Sequence, residues 1–138
     1  MSKSNIAQLE MTRLKSFSSA TGSLVVVEKN KDVHFGIARV FVVKALRGET
    51  RGKHAHKECQ QFLFCTNGRI EVICDDGTEK RTFLLDDSDK ALLIPAGIWA
   101  HQNYLEENSV LTVLCDLLYD ENDYLRNYED FKKFRGLI

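Results

Sequence analysis

Absences narrow the class of this 138-residue chain before any motif does. It holds one proline, Pro95, and no Ser/Gly-rich linker, internal repeat or low-complexity tract, so a single domain over residues 1–138 is expected. No apolar run approaches the roughly 18 residues that span a bilayer. The opening MSKSNIAQLEMTRLK has none of the apolar core of a secretory signal. A cytoplasmic location without a membrane partner is the expectation. Neither charge is in excess, with 19 Lys+Arg against 20 Asp+Glu, and no basic run or stripe offers itself to a nucleic acid. Cys59, Cys65, Cys74 and Cys115 form no CxxC pair and no zinc-ligand spacing. Three of the four sit in apolar runs, which predicts buried, reduced thiols acting as small apolar residues.

With 43% apolar residues the chain can bury a core. Short β-prone runs follow one another: Leu24–Val27, Arg39–Val43, Gln60–Cys65, Arg69–Cys74, Lys80–Leu85, Ala91–Ile94 and Val110–Cys115. Asn67-Gly68 and Asp75-Asp76-Gly77 between them read as hairpin turns. Strands at about ten-residue spacing predict an all-β sandwich or barrel. The end of the chain differs. Tyr124, Leu125, Tyr128, Phe131 and Phe134 recur at helical spacing, and a helix over about 121–135 is expected, with Asp120 as N-cap and Gly136 as stop. Its aromatic stripe should pack on the barrel.

Residues 48–68 read GETRGKHAHKECQQFLFCTNG. Side chains alternate faces along a strand, so His54 and His56 share one. Two imidazoles on one face can hold a metal or exchange protons near neutral pH. The spacing matches the first motif of the cupin β-barrels, G-x5-H-x-H-x3/4-E-x6-G, at Gly48, His54, His56 and Gly68. The glutamate position holds Gln60 or Gln61; strand parity favours Gln60. In the second motif, P-x-G-x2-H, Pro95 and Gly97 fit, but Ala100 stands at the histidine position and His101 follows one residue later. On a regular strand His101 faces the other way. Without the carboxylate and the third histidine in register, the remaining pair is a poor divalent-metal site.

RVFVV (39–43), RGKHAHKECQ (51–60) and LLYDENDYLRNYEDFKKF (117–134), with DDG (75–77) and PAGIW (95–99) between them, resemble the dTDP-sugar 3,4-ketoisomerases of the cupin superfamily. The likeness runs over about residues 15 to 134. It implies an all-β, jelly-roll cupin barrel with a C-terminal α-helix. It also implies an isomerase that moves the ketone of dTDP-4-keto-6-deoxyglucose from C4 to C3, on the way to deoxyamino sugars of surface polysaccharide. No metal and no other cofactor is implied, and a homodimer is.

Proton removal at C3, an enediol intermediate and proton delivery at C4 need a base and an acid near pH 7, which imidazole supplies. His54 is favoured as the base at C3 and His56 as the group acting at C4 or on the oxygens; the reverse order stays open. Arg51 or Arg39 is a candidate for the diphosphate or a developing enediolate. Gln60 is a candidate to hydrogen-bond the sugar or orient a histidine, Trp99 to stack on thymine or sugar, and His101 to supply a polar group. Phe41 and Val42 stand where such enzymes commonly carry a strand tyrosine. Tyr119, Tyr124 and Tyr128 are assigned to the helix–barrel interface or a dimer contact. Two other readings share these features: a nucleotide-keto-sugar epimerase, and a non-catalytic nucleotide-sugar-binding cupin.

Overall fold

The structure, a computed structural model, describes residues 4–138. Among them the strands are, in chain order, β1 Met11–Arg13, β2 Lys15–Ser19, β3 Gly22–Val26, β4 Arg39–Ala45, β5 Thr50–His56, β6 Gln61–Asn67, β7 Ile70–Asp75, β8 Lys80–Leu85, β9 Lys90–Ile94, β10 Trp99–Tyr104, β11 Ser109–Cys115 and β12 Tyr124–Leu125. One α-helix, α1 (Tyr128–Phe134), follows. Two antiparallel five-stranded sheets form, in the orders β1-β9-β6-β11-β4 and β12-β5-β10-β7-β8, and β2 and β3 make a separate hairpin. This is the expected all-β cupin architecture.

Alternation decides what each face buries. Leu63, Cys65, Leu92, Leu111 and Val113 of the first sheet meet Ile70, Val72, Cys74, Phe83, Leu85, Ala100 and Tyr104 of the second in one core. The outer face of the first sheet, with Phe62, Ala91 and Leu114, is covered by Leu14, Val33 and the partly buried Val25, Val27 and Phe35. The outer face of the second is covered by α1: Ala55, Leu125 and Phe131 are buried together, flanked by Trp99, Tyr128 and Phe134. Phe131 is fully buried, which is worth about 2–3 kcal/mol of apolar transfer.

Three local expectations change. Asn67-Gly68 joins β6 to β7, but β6 pairs with β9 and β11 while β7 pairs with β8 and β10, so the turn crosses between sheets and closes no hairpin. Gly68 is required there, at φ 80°, because a Cβ would come within 2.9 Å of the Ser109 Cα. Asp75-Asp76-Gly77 does close the β7–β8 hairpin. The helix is shorter than 121–135. Asp120 caps only a 3₁₀ turn, Glu121–Asp123, and Tyr124 and Leu125 then pair with His56 and Ala55. The helix is capped by Asn127, whose side chain accepts from the Asp130 N–H at 3.1 Å. Leu125 and Phe131 thus share a buried cluster although they lie on a strand and a helix. Strand β10, WAHQNY, was absent from the β-prone runs because its polar residues mask it; pairing on both sides, with β5 and β7, builds it.

Candidate active site

The backbone of β5 places the histidines. In the β5–β10 ladder Ala100 lies opposite His54 and His101 opposite Gly52, which leaves Lys53 as an extra, bulged residue. Gly52 has φ 97° and Lys53 φ 60°. A Cβ on Gly52 would meet Gln102 Oε1 at 2.9 Å, the His101 Cα at 3.1 Å and the Ala100 carbonyl at 3.2 Å. The RGK tripeptide is therefore a built kink, and it turns both imidazoles toward the interior between the sheets. Their ring centroids are 5.2 Å apart and nearly perpendicular, at 87°. Tyr124, paired with His56 across β12–β5, lies against both, at 5.1 Å from His54 and 4.3 Å from His56.

Asp123, at the end of the 3₁₀ turn, clamps His56. Its Oδ2 is 2.9 Å from His56 Nδ1 and accepts the Cys59 N–H at 3.3 Å, while its Oδ1 accepts the Glu58 N–H at 2.7 Å. The Lys57 N–H donates to the Asp123 carbonyl at 2.9 Å, fastening the turn to the loop after β5. A carboxylate has no proton to give, so Nδ1 carries the proton and Nε2 the lone pair in neutral His56. His56 Nε2, His54 Nδ1 and Arg39 Nε are buried without a protein hydrogen-bond partner. Such groups are costly unless a ligand satisfies them.

Arg39 opens β4 beside this pair. Its Nη2 donates to Cys115 Sγ at 3.6 Å, and its guanidinium lies 5.4 Å from the Phe41 ring and 5.5 Å from the Tyr119 ring. Its pKa is raised, the cost of burial being outweighed by hydrogen bonds to Cys115 and Tyr124. Arg126 stands over the Tyr124 ring at 4.3 Å, and its Nε and Nη2 donate to Glu121 at 2.6 and 3.0 Å. Glu121 also accepts from the Tyr119 hydroxyl.

The electrostatics follow. Burial, helped by the charges of His56 and Arg126, pushes His54 down to about 4. Burial lowers His56 as well, but the Asp123 hydrogen bond and charge oppose it. The Asp123–His56 contact is a hydrogen bond when the ring is neutral and an ion pair when His56 carries a second proton. The hydrogen bond from Arg126 leads in holding Glu121 down at about 2. The neighbouring Cys59 and Cys115 thiols act on each other, raising the first and lowering the second, and Arg39 and Gln61 add to the fall at Cys115. His56, Cys59 and Asp123 offer donor atoms within 4.8 Å of one another. Asp123 already accepts three N–H groups there, so the cluster acts as a hydrogen-bonded clamp on His56.

Of the candidate residues, His54, His56 and Arg39 stand together. Gln60 stands apart: the bend at Lys57 and Glu58 breaks strand parity, and Gln60 Nε2 bonds Asp116 at 3.3 Å, beside Phe62 and His34 on the outer side of the first sheet. Gln61 takes the inward place, 3.8 Å from Cys115 Sγ. Trp99 and His101 lie on the outer face of the second sheet, around a hollow shared with Lys53, Lys80 and Tyr128. Trp99 packs on Tyr128 and Phe131 at 5.2 and 5.6 Å. Neither stands at the imidazoles, because the extra residue of the bulge lies in β5 and β10 alternates regularly along β7. Arg51, opposite Gln102, is exposed, and its charge acts on Tyr104. Asp123, Tyr124, Glu121, Arg126 and Cys115 are absent from the expected site residues, and Gln61 is the alternative to Gln60 that strand parity disfavours. For the absent residues other than Cys115 the signal lies in YDENDYLR (119–126), a stretch whose later residues helical spacing assigns to the C-terminal helix.

Residues 7–136 match the family model described as "FdtA: WxcM-like, C-terminal". The TDP-4-oxo-6-deoxy-alpha-D-glucose-3,4-oxoisomerase of Aneurinibacillus thermoaerophilus is 37% identical over 130 residues, 94% of each chain. The crystal structure of QdtA, a sugar 3,4-ketoisomerase from Thermoanaerobacterium thermosaccharolyticum in complex with TDP, is similar with a TM-score of 0.89 and 29% identity, over 96% of this chain and 97% of that one. A histidine-to-asparagine mutant of QdtA has been captured with TDP-4-keto-6-deoxyglucose. The WlaRB TDP-quinovose 3,4-ketoisomerase of Campylobacter jejuni has a TM-score of 0.85 and 31% identity, over 93% of this chain and 99% of that one. Fold and site define the class, a cupin isomerase. The chain belongs to the FdtA family, that of the TDP-sugar 3,4-ketoisomerases.

Proposed function

We propose that this protein moves the ketone of TDP-4-keto-6-deoxyglucose from C4 to C3 by proton transfer between its two histidines and the sugar. The observation that carries this is the perpendicular pair of half-buried His54 and buried His56, each with a buried ring nitrogen that has no protein partner, of which only His56 is backed by a carboxylate. A base must be free of its proton, and His54, held low by burial, is the free base at pH 7. An acid must tolerate the charged form, and Asp123 supports the His56 imidazolium. Two like groups set apart by their surroundings mark an acid and a base. The cycle starts with His56 as the imidazolium on Asp123 and His54 neutral: His54 takes the C3 proton while His56 Nε2–H protonates O4, giving the enediol. His56 then takes the O3 proton and His54 returns its proton to C4. Positioned groups of this kind contribute about 10² to 10⁴ in rate.

The working unit in this proposal is a homodimer. Val40 and Val42, 57% and 60% exposed, lie on the outer face of edge strand β4. Phe17 and Leu24 are exposed on the β2–β3 hairpin, and a lone two-stranded hairpin is marginal in water. None of the helices among the described residues is long and apolar enough to cross a membrane. The four free, buried cysteines suit a reducing compartment, in keeping with a cytoplasmic place.

The test is incubation of the protein with freshly made TDP-4-keto-6-deoxyglucose in deuterated water, followed by NMR. A 3-keto sugar is expected, and His54→Asn should form it about 10² to 10⁴ times more slowly. Absence of a 3-keto product with the unaltered protein sinks the proposal, and a 4-keto sugar of changed configuration favours an epimerase instead.

A further inference from the structure

The two imidazoles account for the protons on carbon and oxygen, but the mechanism leaves unassigned the group that stabilises the enediolate oxygen while both protons are in flight. The four tyrosines of the chain separate sharply on this point. Tyr104 is fully buried in the core, and its pKa is pushed up to about 12 by burial. Tyr128 lies on the outer face of the second sheet, with its hydroxyl given to Asp75 at 2.8 Å. Tyr119 is exposed and gives its hydroxyl to Glu121. Tyr124 alone touches both histidine rings.

The inward residues at the start of β4 add no hydroxyl, being Arg39, Phe41 and Val43. The Arg39 guanidinium, which bonds Cys115, lies close enough to the Tyr124 phenol for the two to interact. A guanidinium offers no acceptor, so Arg39 does not compete for the phenol proton. Arg126, 4.3 Å over the ring, puts a second positive charge beside the same phenol. A hydroxyl polarised by one guanidinium, near another, and seated over an acid–base pair is built to donate to an oxygen on which negative charge develops.

We infer that the Tyr124 hydroxyl is the hydrogen-bond donor to the enediolate oxygen of the sugar, with the Arg39 and Arg126 guanidinium groups as the neighbouring charges that polarise it. The inference rests on the proposed isomerase reading and adds a residue to it. Tyr124 neither gains nor loses a proton over the cycle; it donates a hydrogen bond that strengthens as the C4 ketone becomes an enediolate oxygen and relaxes as the C3 ketone forms. It therefore serves the transition state more than the bound substrate.

The test is Tyr124→Phe, which keeps the ring on both histidines and removes the oxygen alone. Its turnover, its KM and its TDP affinity by calorimetry are compared with those of the unaltered protein in one series. The expected result is a fall in kcat of about 10² to 10³ with KM and TDP affinity within a few-fold. Arg39→Lys, which keeps the charge and loses the planar fork, should fall on kcat in the same direction. A Tyr124→Phe kcat within threefold of the parent overturns the inference while leaving the isomerase reading in place. A loss confined to KM or TDP affinity overturns it too, by making Tyr124 a binding contact. Absence of turnover by the unaltered protein overturns both.

Discussion

Acidification should destabilise this protein in a window set by one half-buried imidazole. His54 sits at about 4 in the folded chain, for reasons of burial first and of the His56 and Arg126 charges second. In the unfolded chain it returns to about 6.5. Between those values the unfolded state binds a proton that the folded state refuses, so stability falls as pH drops through about 6.5 and the loss is complete near 4. At about 1.4 kcal/mol for each pH unit, the full effect is about 3 kcal/mol. That is a large part of the roughly 5–15 kcal/mol that holds a domain together. His56 moves in the same direction, opposed by Asp123. The assay is urea unfolding from pH 7.5 to 4 at one fixed protein concentration, followed by the fluorescence of Trp99. That residue, the single tryptophan, packs against Tyr128 and Phe131 of α1. His54→Asn removes the group, and its stability should fall by about 3 kcal/mol less over this range. Parallel curves for the two proteins would refute the argument, because the half-buried imidazole would then carry no such penalty.

Other substitutions probe the remaining parts of the site. Asp123→Asn leaves one acceptor oxygen facing the N–H groups of His56, Glu58 and Cys59, and kcat should drop at least about tenfold with TDP affinity retained; steady-state kinetics with calorimetry decides, and an unchanged kcat removes Asp123 from the mechanism. Gly52→Ala forces a Cβ against Gln102, His101 and Ala100 at φ 97° and should cost about 2 kcal/mol, lowering Tm by roughly 5–10 °C; a melting curve matching the parent would show that the kink needs no glycine. Val42→Lys places a charge on the exposed face of β4, and sedimentation should show a shift from dimer to monomer, whereas a protein that sediments as a monomer before the change contradicts the proposed interface.

The fold was legible because its determinants are periodic and local. Alternating runs such as Arg39–Val43 and Val110–Cys115 carry their face assignments with them, and β4 and β11 pair over their whole length. The histidine pair was legible for the same reason. What escaped was set by aperiodic features. The bend at Lys57–Glu58 exchanges Gln60 for Gln61, a one-residue change that reverses the face. The aromatic recurrence from Tyr124 to Phe134 has helical spacing, yet Tyr124 and Leu125 are strand residues whose backbone pairs with His56 and Ala55. That pairing joins residues about seventy positions apart, and no local pattern announces it. The displaced His101 could be read correctly as outward-facing, because β10 keeps its alternation along β7 even though β5 bulges beside it.

The unread stretch matters because two histidines in H-x-H are chemically alike, whereas a ketone shift needs them unlike. Strand geometry supplies their common face and nothing more. The difference comes from the segment around β12, which lies across β5 and treats the two rings unequally. Asp123 bonds His56 and not His54, while the charge of Arg126 weighs on both. The same segment carries Tyr124 over both rings and holds Arg126 in place through Glu121. Exchanging the two roles would require Asp123 to reach the other imidazole. It is prevented from doing so by the N–H groups of Glu58 and Cys59, which tie its carboxylate to the loop leaving His56. In the proposed mechanism the direction of proton flow therefore depends on the loop at Lys57–Cys59 as much as on the histidines. A change there that frees Asp123 should blur the distinction between acid and base before it loosens the barrel.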